Sequence, residues 1–138
     1  MTRHRALDLT VLVLVGSVWA AVATAGSERV ATTSEAAQMV VVQDVRVHDG
    51  VVSGSMLNNS TRVLRDVKLL IRHQWLWRNE RNPGTDNPGR ADFYTVVGDL
   101  PAGGRVPFEY TITPPLPDRS DGTFRTTVEV VGFTEVGH

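Results

Sequence analysis

VLRDVKLLIRHQWLW, residues Val63 to Trp77, decides the fold of this 138-residue chain. In an extended segment alternate side chains leave opposite faces. That puts Val67, Leu69, Ile71, His73, Trp75 and Trp77 on one face, with Lys68, Leu70, Arg72, Gln74 and Leu76 on the other. The first face is long and apolar. Val67, Leu70, Ile71 and Gln74 also trace a helical stripe, so periodicity alone leaves helix and strand open over this window. The flanks favour a strand. Turn-forming Asn58, Asn59 and Ser60 come before it, the charged loop RNERNPGTDNPGR (Arg78 to Arg90) comes after, and no apolar run elsewhere is long enough to pair helix with helix. A strand of this length is expected to carry a bulge or to bend from one sheet to another.

Working outward, Met39 to His48 is β-branched and ends in alternation, and Asp49-Gly50 follows at once before Val51 opens the next run. An Asp-Gly pair between two such runs is the two-residue hairpin signal, because both residues tolerate positive φ. Val51 to Leu57 is the returning strand, where Gly54 and small Ser residues point to a closely approached surface. Beyond the charged loop, a short strand is expected around Phe93 to Val97, then a turn at Pro101, Gly103 and Gly104. Arg105 to Ile112 alternates, with Val106, Phe108, Tyr110 and Ile112 inward, and Pro107 marks it as an edge strand or an interrupted one. A connector stiffened by Pro114, Pro115 and Pro117 leads to a last strand from Phe124 to Phe133. Closely spaced strands with no amphipathic helix and no repeat predict an all-β fold: a single antiparallel β-sandwich of about six to seven strands.

The first 25 residues are a different polymer. Arg3, His4 and Arg5 precede the apolar run LTVLVLVGSVWAAVATA, and Ala23 and Ala25 supply the small residues that a signal peptidase accepts. A signal helix over residues 1–25 is expected, with cleavage between Ala25 and Gly26. An uncleaved helix holding the protein in the membrane is the alternative, the apolar stretch being only just enough against the ~20 residues of a typical span. Residues 26–37 are small and polar and read as a flexible leader, with the folded domain over 38–138.

Removing the first 25 residues takes away two Arg and one Asp, leaving twelve basic and fourteen acidic side chains and a formal charge of −2. That argues against a nucleic-acid or anionic-membrane partner, which needs a clustered basic surface. The 113 residues left are one domain in size, enough to bury roughly 65% of their unfolded surface. With no Cys in the chain, there are no disulfides to staple the core and no lipid-anchored Cys.

Gly54 and Asn58 to Ser60 in GSMLNNS, Val67 and Leu69 in the next strand, and LPAGGRVPFEY from Leu100 to Tyr110 carry a family likeness. Through them the chain from Val45 to Phe133 resembles the FxLYD-type, immunoglobulin-like domains of exported bacterial proteins. The last segment is similar to that family's leucine, Pro-Gly turn and strand with an inward Phe. The aromatic-x-Leu-Tyr-Asp signature does not occur here in that form. The resemblance implies an exported, non-enzymatic module and brings no catalytic residue with it.

Binding candidates cluster where the long strand meets the charged loop. Trp75 and Trp77 lie two apart on one face, and with Phe93 and Tyr94 of the next strand they suggest an aromatic platform that stacks on a sugar ring or an apolar side chain. Against this stands the ordinary place of a mid-strand Trp in a sandwich, which is the core. Arg78, Glu80 and Arg81 open a loop too charged to be buried, and its Pro and Gly residues forbid regular pairing, so an exposed binding loop with Trp77 at its base is expected. Asp86, Asn87 and Asp92, and separately Asp118, Ser120 and Asp121, offer oxygens to Ca²⁺, but neither set has EF-hand spacing, and Asx residues in turns serve their own backbone. His48, His73 and His138 lack metal-ligand spacing, and His73 on the apolar face reads as a hydrogen-bonded interior residue. No Gly-x-Ser-x-Gly elbow occurs, and no carboxylate pair is distinguished from its neighbours, so no catalysis and no cofactor are expected. The function expected is that of an exported interaction or accessory domain of a bacterial cell envelope, periplasmic or secreted, whose partner is another envelope protein or a glycan. A carbohydrate-binding module using Trp75 and Trp77 is the alternative.

Overall fold

The computed structural model of the protein describes residues 29–82 and 88–137. The expected signal helix, its cleavage position at Ala25 and Gly26, and residues 83–87 of the charged loop lie outside the described residues. The long segment is one strand, Leu64–Trp77, numbered β4 in chain order. Its two faces are those the alternation predicts: Val67, Leu69, Ile71, His73 and Trp75 are buried, and Lys68 and Arg72 are exposed. The expected irregularity is near its start, where the register with its neighbours shifts and Asp66 takes φ +51°.

Strands β2 (Val40–His48) and β3 (Val51–Asn58) form the predicted hairpin, with Asp49 at φ +49° and Gly50 at φ +75°. Both angles belong to the turn whose twist matches that of paired strands. The remaining strands are β5 (Arg90–Leu100), β6 (Arg105–Thr111) and β7 (Gly122–Glu135), with a two-residue β1 (Arg29–Val30). They make two antiparallel sheets, one ordered β1-β7-β4-β5 and the other β2-β3-β6. Both β5 and β7 run longer than their sequence signal, because pairing with the 14-residue β4 extends them past their own apolar residues.

One core joins the two sheets: Leu64, Val67, Leu69 and Ile71 of β4 with Val130 and Phe133 of β7 pack in the same cluster as Val52, Met56 and Phe108 of β3 and β6. β6 is an edge strand, as Pro107 indicates, and its inward Phe108 is buried. Phe108 explains the glycine opposite it, since a Cβ on Gly54 would stand 2.9 Å from the ring and from the Gln43 carbonyl oxygen.

The expected flexible leader needs correcting over its described part. Residues 29–37 contribute β1 and most of a helix, α1 (Thr33–Met39). Thr32 caps the helix: its Oγ1 accepts from the Glu35 backbone N–H at 3.5 Å, and the Glu35 carboxylate accepts from the Thr32 N–H at 3.0 Å. Seven residues are too few to hold a helix in water alone, so packing must supply the rest. Ala36 is fully buried in the core, and the Thr33 hydroxyl reaches the Val131 carbonyl. The helix thus closes the side of the molecule where β7 and β2 lie. Among the described residues no helix is long and apolar enough to cross a membrane.

Candidate functional site

At its far end β4 carries Trp75 in register with Phe124 and Trp77 in register with Gly122. Trp75 is 1% exposed and packs edge-on to Phe124, with ring centroids 4.7 Å apart, and to Trp77 at 5.9 Å. Gly122 makes this possible, since a Cβ there would lie 2.7 Å from the Trp75 ring. Trp75 is therefore a core residue. Trp77 is half-buried, and the Arg119 guanidinium stands over both indoles, 5.0 Å from the Trp77 centroid and 5.2 Å from that of Trp75. Arg119 reaches them from the Pro-rich connector while its Nε and Nη2 donate to the two carboxylate oxygens of Asp121 at 3.0 and 2.6 Å. Those bonds hold the Asp121 carboxyl below its usual range and keep Arg119 charged.

Arg78 and Glu80 are occupied in building this end. The Arg78 N–H donates to the Asp121 carbonyl at 3.0 Å and its Nη2 to the Ser120 carbonyl at 2.9 Å. The Glu80 N–H donates to the Trp77 carbonyl at 2.9 Å, and its carboxylate accepts from the Trp77 N–H at 3.3 Å. Arg81 is exposed. A hollow of 230 Å³ lies between these residues, lined by Trp77, Arg78, Glu80, Ser120 and Thr123 among others.

Tyr94 is not part of that cluster. It pairs with Leu69, six positions along β4 from Trp75, or about 20 Å at the strand rise of ~3.4 Å per residue. Its ring packs against Tyr110 of the other sheet at 5.3 Å. Phe93, its neighbour in sequence, points to the opposite face and is 69% exposed. The four aromatics thus occupy three places: Trp75 and Trp77 at the sheet end, Tyr94 between the sheets, and Phe93 outside.

Below the Tyr94–Tyr110 contact lies a polar cluster that the sequence did not announce. His73 has a fully buried side chain, and its Nδ1 lies 2.9 Å from the Thr126 hydroxyl. Its Nε2 is 3.8 Å from the Asp92 carboxylate, beyond hydrogen-bonding distance. The same Asp92 oxygen accepts from Arg90 Nε at 3.1 Å and from the Tyr110 hydroxyl at 3.0 Å, so the cluster ties β4, β5 and β7 to β6 of the other sheet. Burial pushes the His73 imidazole below its ordinary value; Asp92 opposes the shift and Arg90 adds to it. Burial, and then Asp92 as acceptor, push the Tyr110 hydroxyl upward. The imidazole is thus held neutral and the carboxylate is committed to an arginine and a phenol, an arrangement that locks two sheets together. No signal in one strand reveals it, because its bonds between strands join residues 18 apart (Asp92 and Tyr110) and 53 apart (His73 and Thr126).

The same commitment removes Asp92 and Asp121 from the loop-oxygen sets considered for Ca²⁺, since Arg90 and Arg119 hold their carboxylates. Asp86 and Asn87 lie outside the described residues. Among the described residues no group of three or more His, Cys, Asp or Glu is arranged to hold a metal ion. The large apolar side chains left facing water include Phe93 and Val97 at 86% exposure, both on the outward face of β5. Comparison of the chain with protein-family models, with curated proteins and with solved structures gives no match.

Proposed function

We propose that the protein is an exported, non-catalytic interaction domain of a bacterial cell envelope, an immunoglobulin-like sandwich acting in the periplasm or outside the cell. The N-terminal sequence supports export, and the two antiparallel sheets around one core support the sandwich. The likeness to FxLYD-type domains points the same way. One observation carries the binding role: β5 is an edge strand whose outward face presents Phe93 and Val97 to water. Exposed apolar side chains beside unpaired backbone groups are what a partner strand or an apolar surface recognises. The tryptophan end supports a sugar platform less well, with Trp75 buried and a guanidinium already over Trp77.

The test uses the full-length protein with Val97→Lys and Trp77→Ala, immobilised against an extract of its own envelope fraction. A partner captured by the parent and by Trp77→Ala but lost with Val97→Lys supports the proposal. Tryptophan fluorescence that shifts with an oligosaccharide, and loses the shift in Trp77→Ala, would replace it with a carbohydrate-binding module.

A further inference from the structure

Among the described residues four strand edges bound the two sheets, belonging to β1 and β5 in one and to β2 and β6 in the other. Three of them are blunted. β1 has two residues and pairs only with Thr134 and Glu135, with α1 packed against β7 beyond it, β2 is broken by a bulge where Asp44 takes φ +56°, and β6 carries Pro107, which has no N–H to offer. Proteins interrupt edges in these ways to stop strands from pairing with other chains. β5 carries its bulge only at its far end, where Val97 and Gly98 stand against Asp66, and its register with β4 runs unbroken from Arg90 to Val96. Among the described residues β5 thus offers a regular strand edge from Arg90 to Val96.

We propose that this edge pairs with the β5 edge of a second copy of the chain, antiparallel, about a two-fold axis at Thr95. The inference rests on the interaction-domain reading above and names the partner. Its basis is the segment Phe93-Tyr94-Thr95-Val96-Val97, two aromatics, a threonine and two valines. With the axis at Thr95, Phe93 faces Val97 of the second copy on the outer side, Tyr94 faces its Val96 on the inner side, and Thr95 faces Thr95. Aromatic with β-branched and Thr with Thr are favoured cross-strand pairs. Moving the axis to Tyr94 sets Asp92 against Val96 and leaves Phe93 opposite Thr95. Moving it to Phe93 sets Asp92 against Tyr94. Only the Thr95 register gives all four large side chains an apolar partner and brings no like charges face to face. A two-fold contact requires such self-complementarity, since one patch must serve both sides. The product is one continuous sheet across two molecules that covers Phe93 and Val97, now 69% and 86% exposed.

The chain has no Cys, so one introduced thiol reports the geometry without background. Directly opposed residues in an antiparallel pair have Cα atoms about 4.5 to 5.5 Å apart, within disulfide reach. In the full-length protein, Thr95→Cys is expected to form a disulfide-linked dimer under mild oxidation, while Thr111→Cys, exposed on the β6 edge, stays monomeric. Sedimentation over a concentration series should show self-association that Val97→Lys weakens at least about tenfold, its side chain lying too far out for the change to disturb the fold. Equal cross-linking of the two cysteine variants, or a parent that stays monomeric throughout, overturns the pairing. A monomeric parent that still captures an envelope partner through Val97 overturns it while leaving the interaction reading standing. A monomer with no Val97-dependent partner overturns both.

Discussion

The two ends of β4 are fastened by opposite chemistry. At the Leu64 end the anchor is Asn58, a neutral side chain with no exposed surface. Its Nδ2 donates toward the carbonyls of Arg62, Leu100 and Pro101 at 2.8, 3.1 and 3.0 Å, and its Oδ1 accepts from the Ser60 N–H and hydroxyl at 2.9 and 2.7 Å. One carboxamide thereby joins the end of β3, the entry to β4 and the turn after β5. At the Trp77 end the fastening is ionic and faces solvent: Arg119 lies over the indoles and pairs with Asp121, and Arg78 pins the connector through Ser120. A buried amide cannot exchange its partners for water, so its loss strands several polar groups at once. An exposed guanidinium can, and salt screens it. The first end is locked, and the second holds only as part of a packed surface.

The largest effect expected from breaking that contrast is Asn58→Ala. It leaves the Leu100 carbonyl, at least, buried without its donor, and the loss should be about 3 kcal/mol of unfolding free energy, since each buried polar group left unpaired costs roughly 1 to 3 kcal/mol. Urea titration measures it, with the denaturant slope unchanged if only stability moves. A loss below about 1 kcal/mol would mean that water replaces the amide and that the two ends are equivalent.

The difference between the ends also explains what could be read in advance. Alternation over Val67 to Trp77 gave the buried face of β4, Asp49-Gly50 gave the hairpin, and Pro107 gave an edge, because each is a property of adjacent residues. Asn58 looked like one residue of a polar turn. Its role depends on Leu100, 42 positions away, whose carbonyl becomes a neighbour only when β4 and β5 are paired. Arg119 looked like part of a stiff spacer, and its place over Trp77 follows from where the connector returns to start β7. Phe93 and Tyr94 join the tryptophans in the sequence only as aromatics of the next strand, and that fixes neither their face nor their position along it. Helix α1 was missed because seven residues carry no helical period, although Thr32-Thr33-Ser34-Glu35 fits a capping box.

Between the two ends, His73 offers a test that acid can apply. Its imidazole is kept neutral by burial, with Arg90 adding to that and Asp92 opposing it, so its folded pKa lies below the unfolded value of about 6.5. The unfolded chain therefore binds a proton at a pH where the folded protein does not. The associated stability is present above about pH 6.5 and drains away as pH falls toward the lower folded value. The thermal midpoint should drop between pH 7 and pH 5, and in His73→Gln, which keeps a polar group near Thr126 but cannot titrate, it should drop less. Parallel pH profiles for the two proteins would mean that burial does not shift His73, and a parent that drops less than the variant would mean that His73 is protonated in the fold and paired with Asp92 across the present 3.8 Å gap.

The smallest effect should come from the solvent-facing end. Arg119→Met keeps an unbranched side chain able to lie on the indoles and removes both the Asp121 pair and the cation above the rings. Trp75 keeps Phe124 and Gly122 as neighbours, so the end of the sheet should stay packed. The cost in stability should be several-fold smaller than that of Asn58→Ala, and the gap between parent and variant should narrow with added salt as the parent's ion pair is screened. Both indoles lose the charge over them, so tryptophan fluorescence should change, most at Trp77, the more open of the two. The decisive comparison is between the two variants in one buffer. If Arg119→Met proves as damaging as Asn58→Ala at high salt, then the guanidinium holds the tryptophan end through contacts that salt does not screen, and the contrast between a locked end and an exchangeable one fails.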